Sequence, residues 1–172
     1  MRAYSLRTDG PFTLRSGAVS DWYIDARQTT FDGRGAAITG RCVCDALPAT
    51  VEAVGGMTMG ADPIAVSAAV VAASSDRSLR AFSIRKEAKD HGVGGRLVGP
   101  VAAGDRVAVV EDTTTTGAAL LEAIDVLETA GVLVEVALSV VDRSAGRVAE
   151  LLAERDIPYI PLTTPTDLGV GE

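Results

Sequence analysis

The stretch VAVVEDTTTTGAALLEA, residues 107–123, joins an apolar run to two carboxylates, four threonines and a glycine. A short β-branched run that is apolar throughout predicts a strand buried on both faces, as in a parallel sheet. The alanine- and leucine-rich segment that follows predicts a helix. A strand that turns directly into a helix is half of a βαβ unit, so this stretch indicates an α/β protein.

The remainder of the chain alternates β-branched runs with segments of helical period. Strands are predicted over residues 21–27, 50–54, 79–84, 106–110 and 133–141, and helices over 30–47, 63–73, 116–130 and 145–155. Asp62 and Pro63 suggest an N-cap followed by proline at the first helical position. No repeat or linker divides the chain, so we expect one domain over residues 1–172, with a mostly parallel central sheet flanked by helices.

The charge and hydropathy of the chain exclude several classes of function. The net charge of −7 and the isoelectric point near 4.7 count against a nucleic-acid binder, because such proteins usually carry a basic face. No apolar run reaches membrane-spanning length, and no signal-peptide pattern follows Met1. We therefore expect a cytoplasmic protein that binds neither nucleic acid nor membrane. Cys42 and Cys44 point to different faces of a predicted helix and are expected to be reduced thiols.

The carboxylates Glu111 and Asp112 come at the carboxyl end of the predicted central strand, where open α/β sheets place their ligand crevices. The turn that follows offers hydroxyl and N–H groups at a helix N-terminus, which attract an anion such as phosphate. The carboxylates would then accept hydrogen bonds from sugar hydroxyls or attract Mg²⁺. The pattern indicates a ribose 5-phosphate site, with helix capping by the threonines as the alternative. The turn consists of Thr113, Thr114, Thr115, Thr116 and Gly117.

Four apolar residues, two acidic residues and a threonine-rich turn to glycine resemble the signature of the type I phosphoribosyltransferases. Those enzymes use phosphoribosyl pyrophosphate and Mg²⁺. The resemblance implies that Glu111 and Asp112 hold the ribose 2- and 3-hydroxyls and that residues 113–117 bind the 5-phosphate. It also implies that Mg²⁺ is held mainly by the substrate, near the acidic pair, rather than by a metal site of the protein.

The segment RKEAKDHGVGGRLVG, residues 85–99, is crowded with charge and ends in repeated glycine, which predicts a mobile loop. A solvated charged loop without a function is the alternative. Its first part, RKEAKDHG, is similar to the catalytic loop of the orotate phosphoribosyltransferases. The resemblance implies that Arg85, Lys86, Lys89 and His91 contact the pyrophosphate. It further implies a homodimer in which this loop closes over the active site of the neighbouring subunit.

The N-terminal segment FTLRSGAVSDWYIDAR, residues 12–27, is similar to the opening F-x-L-K-S-G and aromatic strand of the same enzymes. Arg15 occupies the position of the family's usual lysine and keeps its positive charge. Tyr23 and Ile24 align with the paired residues that cover the pyrimidine ring, and Trp22 could shift that register by one. An ordinary half-buried strand is the alternative for these three side chains.

Two further turns complete the resemblance. VEAVGGMTMGADPIA, residues 51–65, resembles the family's pyrophosphate-binding turn, in which Met59 stands where many relatives have lysine and Gly60 lets the main chain approach an anion. VVDRSAG, residues 140–146, places Arg143 at the position of the arginine that faces the carboxylate of orotate. A guanidinium fork suits a carboxylate, although an isolated Asp-Arg pair after a strand is more often a surface ion pair.

The resemblance as a whole implies a type I phosphoribosyltransferase fold with a small N-terminal hood and a flexible catalytic loop. It implies an enzyme that transfers phosphoribose from phosphoribosyl pyrophosphate to orotate, giving orotidine 5′-monophosphate and pyrophosphate in UMP biosynthesis. A phosphoribosyltransferase for a purine or uracil, and a pyrimidine-responsive RNA-binding regulator on the same fold, are the alternatives. Arg143 and the RKEAKDHG segment favour orotate, and the acidic charge counts against RNA.

Overall fold

The computed structural model describes residues 1–13, 17, 19–89 and 95–171, which form five helices and ten strands. The helices are α1 (Arg27–Thr30), α2 (Gly33–Ala46), α3 (Ala61–Ala73), α4 (Ala118–Thr129) and α5 (Arg147–Ala153). The strands are β1 (Leu6–Arg7), β2 (Phe12–Thr13), β3 (Val19–Ser20), β4 (Tyr23–Ile24), β5 (Ala53–Met57), β6 (Arg80–Lys89), β7 (Gly95–Val98), β8 (Arg106–Thr114), β9 (Leu133–Asp142) and β10 (Tyr159–Pro161). None of these described helices is both long and apolar enough to cross a membrane.

Six strands form the central sheet in the order β10, β9, β8, β5, β6, β7. The pairs from β10 to β6 are all parallel, and the edge pair of β6 and β7 is antiparallel. The predicted mostly parallel α/β architecture is therefore confirmed. Two small antiparallel pairs, β1 with β4 and β2 with β3, lie outside this sheet and form the N-terminal part that was expected as a hood.

The central strand β8 alternates its side chains between two apolar cores, one on each face of the sheet. Ala108 and Val110 pack in the core that includes α2 and α3, whereas Val107 and Val109 pack in the core that includes α4 and α5. Because helices cover both faces, β8 is apolar at consecutive positions instead of alternating with polar residues. The helices thus hold β8 in the middle of the sheet and fix the position of its carboxyl end.

Strands β8 and β5, as well as β6, extend further at their carboxyl ends than the sequence predicts. Strand β8 continues through Thr114, so Glu111 and Asp112 lie within it rather than after it. Strand β5 runs through Gly55 and Gly56 to Met57, although the glycine pair was expected to end it at Val54. The glycines are needed there because an added Cβ would lie 2.2 Å from the carbonyl oxygen of Phe82 or Val110 on the neighbouring strands.

Other boundaries also differ from the sequence prediction. The expected helix 30–47 is divided into α1 and α2, since Asp32 caps α2 by accepting hydrogen bonds from two backbone N–H groups of its first turn. The predicted strand 21–27 shortens to β4 because α1 begins at Arg27. Helix α3 begins at Ala61, so Asp62 lies in its first turn and is not the N-cap. Strand β10, only three residues long and containing proline, gave no recognisable pattern.

The charged segment 85–99 is mostly sheet in this structure. Strand β6 continues through Lys89, and β7 begins at Gly95, so the two form an antiparallel hairpin with shifted register. The prediction of a loop over all of residues 85–99 is therefore wrong for these two parts, and residues 90–94 lie outside the described chain. The charged residues of RKEAK show no alternation typical of a strand, so sequence periodicity did not reveal this hairpin.

The two cysteines lie on α2 as free thiols on different faces. Cys42 is exposed, while Cys44 is half-buried with its Sγ 3.2 Å from the carbonyl oxygen of Ala68. Burial raises the pKa of the Cys44 thiol. The prediction that the two thiols lie on different faces of a helix is consistent with this arrangement.

Helices α2 and α3 approach closely at Gly40, where an added Cβ would lie 2.6 Å from the carbonyl oxygen of Ser67. Replacing Gly40 with Leu is expected to lower the free energy of unfolding by about 3 kcal/mol, because backbone atoms cannot move aside as a side chain can. Urea denaturation measures the loss. Gly33→Leu is the control, since nothing lies within 4 Å of an added Cβ there. Equal losses in the two variants would contradict this close helix contact.

Candidate active site

The acidic pair lies near the carboxyl end of β8, between β5 and β9. Glu111 is in register with Ser139, and Thr114 with Asp142, so the end of β9 lies beside the residues that follow the acidic pair. On the other side, β5 ends in the turn that leads into α3. The sheet therefore brings three chain segments to one edge, as expected for a ligand crevice of a parallel sheet.

Burial dominates the electrostatics of the acidic pair. It raises the pKa of Glu111 to about 8, with the charge of Asp112 and a hydrogen bond to it adding to the shift. Burial also raises the pKa of Asp112, although the N–H of Thr113 donates to its Oδ1 at 2.7 Å and the guanidinium of Arg27 opposes the shift. Two neighbouring, half-buried carboxyl groups are suited to accept hydrogen bonds from hydroxyl groups or to face a cation.

The threonine-rich turn connects β8 to the N-terminus of α4. Thr114 is buried, whereas Thr115 and Thr116 are exposed. Thr116 Oγ1 lies 3.4 Å from the N–H of Ala118, which is long for a capping hydrogen bond. Gly117 has a left-handed φ of 79° that favours glycine. Helix capping therefore accounts poorly for these hydroxyls, and phosphate binding by this turn stays a prediction.

The turn after β5 lies against the acidic pair. An added Cβ on Gly60 would be 2.9 Å from both Cγ and Oδ1 of Asp112, so this backbone contacts the carboxylate directly. The N–H of Thr58 donates to the carbonyl oxygen of Ile84 at 2.8 Å, which places the turn beside the segment of β6 that carries Arg85 and Lys86. Met59 is 57% exposed at this turn. The two turns that the sequence indicated separately thus form one site.

Oxygen ligands at this site suit a magnesium ion. Asp62 accepts a hydrogen bond from Thr58 Oγ1 at 2.7 Å through Oδ2, while its Oδ1 is buried without a partner among the described residues. Carboxylate oxygens are the ligands that Mg²⁺ prefers, so Glu111 and Asp112 would supply two of them. Over the described ranges, however, no group of three acidic, histidine or cysteine residues is arranged to hold a metal. Substrate oxygens would therefore have to complete its coordination.

Three predicted site residues cannot be placed fully. Arg15 and His91 lie outside the described residues, and for Lys89 only the backbone, at the end of β6, is described. Arg85 and Lys86 do lie on β6 beside the turn after β5, and the carbonyl oxygen of Arg85 accepts a hydrogen bond from Arg96 Nε at 2.7 Å. The contacts of the basic segment with pyrophosphate stay predictions.

A second pocket lies at the end of β9 next to the threonine-rich turn. The backbone N–H of Arg143 donates to the carbonyl oxygen of Thr114 at 2.9 Å, which joins the pocket to the turn. The guanidinium of Arg143 lies over the ring of Trp22, 4.6 Å from its centroid. Burial lowers the pKa of Arg143. The pocket has a volume of about 350 Å³ and is lined by Trp22, Asp142, Arg143, Ala145, Gly146, Thr164 and Pro165.

The residues expected to cover a base are divided between surface and core. Tyr23 is 38% exposed, but Ile24 is only 5% exposed and packs in the core with α2 and α3. Trp22, which the sequence left as a shift of register, is the aromatic residue that lines the pocket. In this structure Ile24 therefore offers no surface to a ligand.

Sequence reasoning missed Arg27, whose guanidinium pairs with Asp25 at 2.8 Å and whose charge acts on Asp112. Alternation along a strand over residues 21–27 would have placed Asp25 and Arg27 on the same face, which is the signal that was available. Its influence on Asp112 depends on a contact between distant parts of the chain, so no local pattern could show it.

Comparison with known proteins identifies relatives over nearly the whole chain, although no protein-family model matches. The orotate phosphoribosyltransferase of Rhodopirellula baltica is 39% identical over 168 residues, which cover 94% of this chain and 86% of the relative. The orotate phosphoribosyltransferase of Mycobacterium tuberculosis, solved with Fe(III) dicitrate, matches with a TM-score of 0.85 and 35% identity, covering 98% of this chain and 94% of the other. Its complex with 5-phospho-alpha-D-ribosyl 1-diphosphate matches with a TM-score of 0.80 and 32% identity, over the same shares of both chains.

Proposed function

This chain belongs to the orotate phosphoribosyltransferase family, and we propose that it transfers the phosphoribosyl group of phosphoribosyl pyrophosphate to N1 of orotate. The products are orotidine 5′-monophosphate and pyrophosphate, a step of pyrimidine biosynthesis. The observation that carries the proposal is the 2.9 Å backbone hydrogen bond from the N–H of Arg143 to the carbonyl oxygen of Thr114, because it brings a residue that carries a guanidinium, suited to a carboxylate, next to the threonine-rich turn. An acceptor that carries a carboxylate is thereby favoured over a purine or uracil.

The donor is held by groups from both turns. Glu111 and Asp112 accept hydrogen bonds from the ribose hydroxyls, and the N–H and hydroxyl groups of residues 113–117 bind the 5-phosphate. The main chain at Met59 and Gly60 binds the pyrophosphate, together with Arg85 and Lys86 on β6. Lys89, His91 and Arg15 complete this set on the basis of the resemblance.

Catalysis then consists of positioning and of stabilising the departing charge. The bond from ribose C1 to pyrophosphate breaks as N1 of orotate approaches, through a transition state that resembles an oxocarbenium ion. Basic side chains stabilise the leaving pyrophosphate, and a closed site excludes water that would hydrolyse the sugar. When bound, Mg²⁺ supplies further positive charge beside the pyrophosphate. No covalent nucleophile is needed from the protein.

The acceptor binds at the pocket of Arg143. The guanidinium fork donates to the carboxylate of orotate, and Tyr23 covers the flat ring on the basis of the resemblance. The pocket volume of about 350 Å³ suits a single planar ring with one substituent.

We further propose a homodimer with shared active sites and a location in the cytoplasm, both on the basis of the family. Sedimentation at several protein concentrations measures whether the protein is a dimer. A strictly monomeric enzyme with full activity would contradict shared sites.

Ultraviolet absorbance tests the activity directly. The purified protein is given phosphoribosyl pyrophosphate and Mg²⁺ with orotate, and uracil and adenine serve as parallel acceptors. We expect orotate alone to be converted, and we expect a chelator of Mg²⁺ to stop the reaction. Conversion of uracil or adenine at a comparable rate, or no conversion by the folded protein, would overturn the proposal.

A further inference from the structure

The guanidinium of Arg143 is held by an aromatic ring rather than by a carboxylate. It lies over Trp22 at 4.6 Å from the ring centroid, and no ion pair to a carboxylate in the described part of the chain restrains it. A carboxylate partner would compete with an anionic ligand for the same N–H donors. A ring face holds the cation without using those donors, because guanidinium N–H groups lie in the plane of the group.

Both members of this stack are anchored by their own segments. Ser20 Oγ donates to the carbonyl oxygen of Trp22 at 2.8 Å and accepts from its N–H at 3.4 Å. The ring of Trp22 is half-buried and packs against the core that contains α2 and α3. The backbone of Arg143 is fixed by its hydrogen bond to Thr114. The stack therefore joins the N-terminal part of the chain to the end of β9.

We propose that Trp22 is a positioning residue for the acceptor. Its ring holds the guanidinium of Arg143 within the pocket, so that the N–H edge faces the carboxylate of orotate. The proposal rests on the proposed function, since it concerns recognition of that acceptor. It predicts that Trp22 acts through Arg143 and affects the acceptor far more than the donor.

Steady-state kinetics of Trp22→Leu, with each substrate varied in turn, test this. We expect the KM for orotate to rise about tenfold, as loss of a partly desolvated cation–π contact implies. The KM for phosphoribosyl pyrophosphate should stay within about twofold, because the donor site does not include this ring. Trp22→Phe keeps a ring face and should restore the KM for orotate to within about threefold of the unmodified protein.

Tyr4→Leu is the matched control, since Tyr4 is an exposed aromatic residue of the same N-terminal part and does not line the pocket of Arg143. It should leave both KM values unchanged. An unchanged KM for orotate in folded Trp22→Leu would overturn the inference, as would an equal rise in both KM values. No conversion of orotate by the unmodified protein would overturn the proposed function itself, and the inference with it.

A double-mutant cycle with Arg143→Gln separates action through Arg143 from direct contact with the base. If Trp22 acts through the guanidinium, Trp22→Leu should have little further effect once the guanidinium is gone. If the fold-change in the KM for orotate of the double variant equals the product of the two single fold-changes, Trp22 acts independently of Arg143, and the positioning role is contradicted.

Fluorescence gives a readout that a purely structural role would not move. Trp22 is the only tryptophan of the chain, so the protein's tryptophan emission reports on this one stack. Orotate, added with ribose 5-phosphate to prevent reaction, should change the emission, and pyrophosphate alone should not. Free N-acetyltryptophanamide corrects for absorption by orotate. If the enzyme is active but orotate does not change the tryptophan emission, the stack of Trp22 on Arg143 does not lie beside the bound acceptor, and the inference is contradicted.

Discussion

Glu111→Gln is expected to make the ligand-free protein more stable above pH 8 and to lower kcat/KM for phosphoribosyl pyrophosphate about 100-fold. The stabilisation follows because Glu111 is half-buried beside Asp112 and its pKa is raised to about 8, so ionisation of both groups is unfavourable in the folded chain. A glutamine stays neutral and its amide still donates to Asp112, as a protonated Glu111 does. The loss of activity, measured above pH 8 where Glu111 is ionised, follows because an amide is a weaker acceptor for ribose hydroxyls than a carboxylate.

The direction of the pH dependence follows from proton binding. Between the ordinary pKa of 4.5 and about 8, the folded state keeps the proton of Glu111, whereas the unfolded chain releases it. The folded state therefore binds more protons in this window, and its stability falls as the pH rises from 4.5 to about 8. Thermal unfolding with and without the substitution measures this contribution. Above pH 8 we expect Glu111→Gln to raise Tm by about 5 °C, which corresponds to about 2 kcal/mol.

Glu154→Gln is the matched control, because Glu154 is exposed at the C-terminal end of α5 and loses the same charge on substitution. It should change neither Tm at high pH nor activity. A Tm difference between Glu111→Gln and the unmodified protein that is the same at pH 4.5 as above pH 8 would contradict the raised pKa. Full activity with a raised Tm would contradict the role of Glu111 in holding the ribose.

The features predicted well from the sequence are local ones. The apolar run of β8, the two carboxylates and the threonine-rich turn are consecutive, so periodicity and turn chemistry were sufficient to predict a strand followed by a turn and a helix. Burial on both faces also explains why β8 was the clearest strand in the sequence.

The features that the sequence did not reveal depend on contacts between distant segments. Gly55 and Gly56 carry the usual signal of a turn, yet they lie within β5 because neighbouring strands leave no room for a side chain. The stack of Trp22 on Arg143 and the charge of Arg27 near Asp112 join residues more than 80 positions apart. Such contacts arise from sheet order and strand length, which single-sequence patterns do not determine.

Gly60→Ala is expected to raise the KM for phosphoribosyl pyrophosphate about 100-fold. Because Gly60 contacts Asp112, this substitution tests most directly whether the turn after β5 and the acidic end of β8 form one site. The backbone of Gly60 is already helical, with a φ of −62°, so alanine adds no backbone strain. Its Cβ would lie 2.9 Å from Oδ1 of Asp112, which also accepts the hydrogen bond from Thr113 N–H. The carboxylate must therefore move away from its position, and small displacements of binding groups have effects of this size.

Gly33→Ala makes the same chemical change where nothing lies within 4 Å of the added Cβ, so it should leave the kinetics unchanged and slightly stabilise α2.

In Gly60→Ala, the KM for orotate should change much less than the KM for the donor, because Arg143 lies at the end of β9 and not at the turn after β5. Donor affinity that survives Gly60→Ala in a folded protein would show that Asp112 and the turn after β5 act separately. An equal loss for both substrates would instead indicate that the displaced carboxylate disturbs the whole sheet edge, because β5, β8 and β9 are hydrogen-bonded neighbours there.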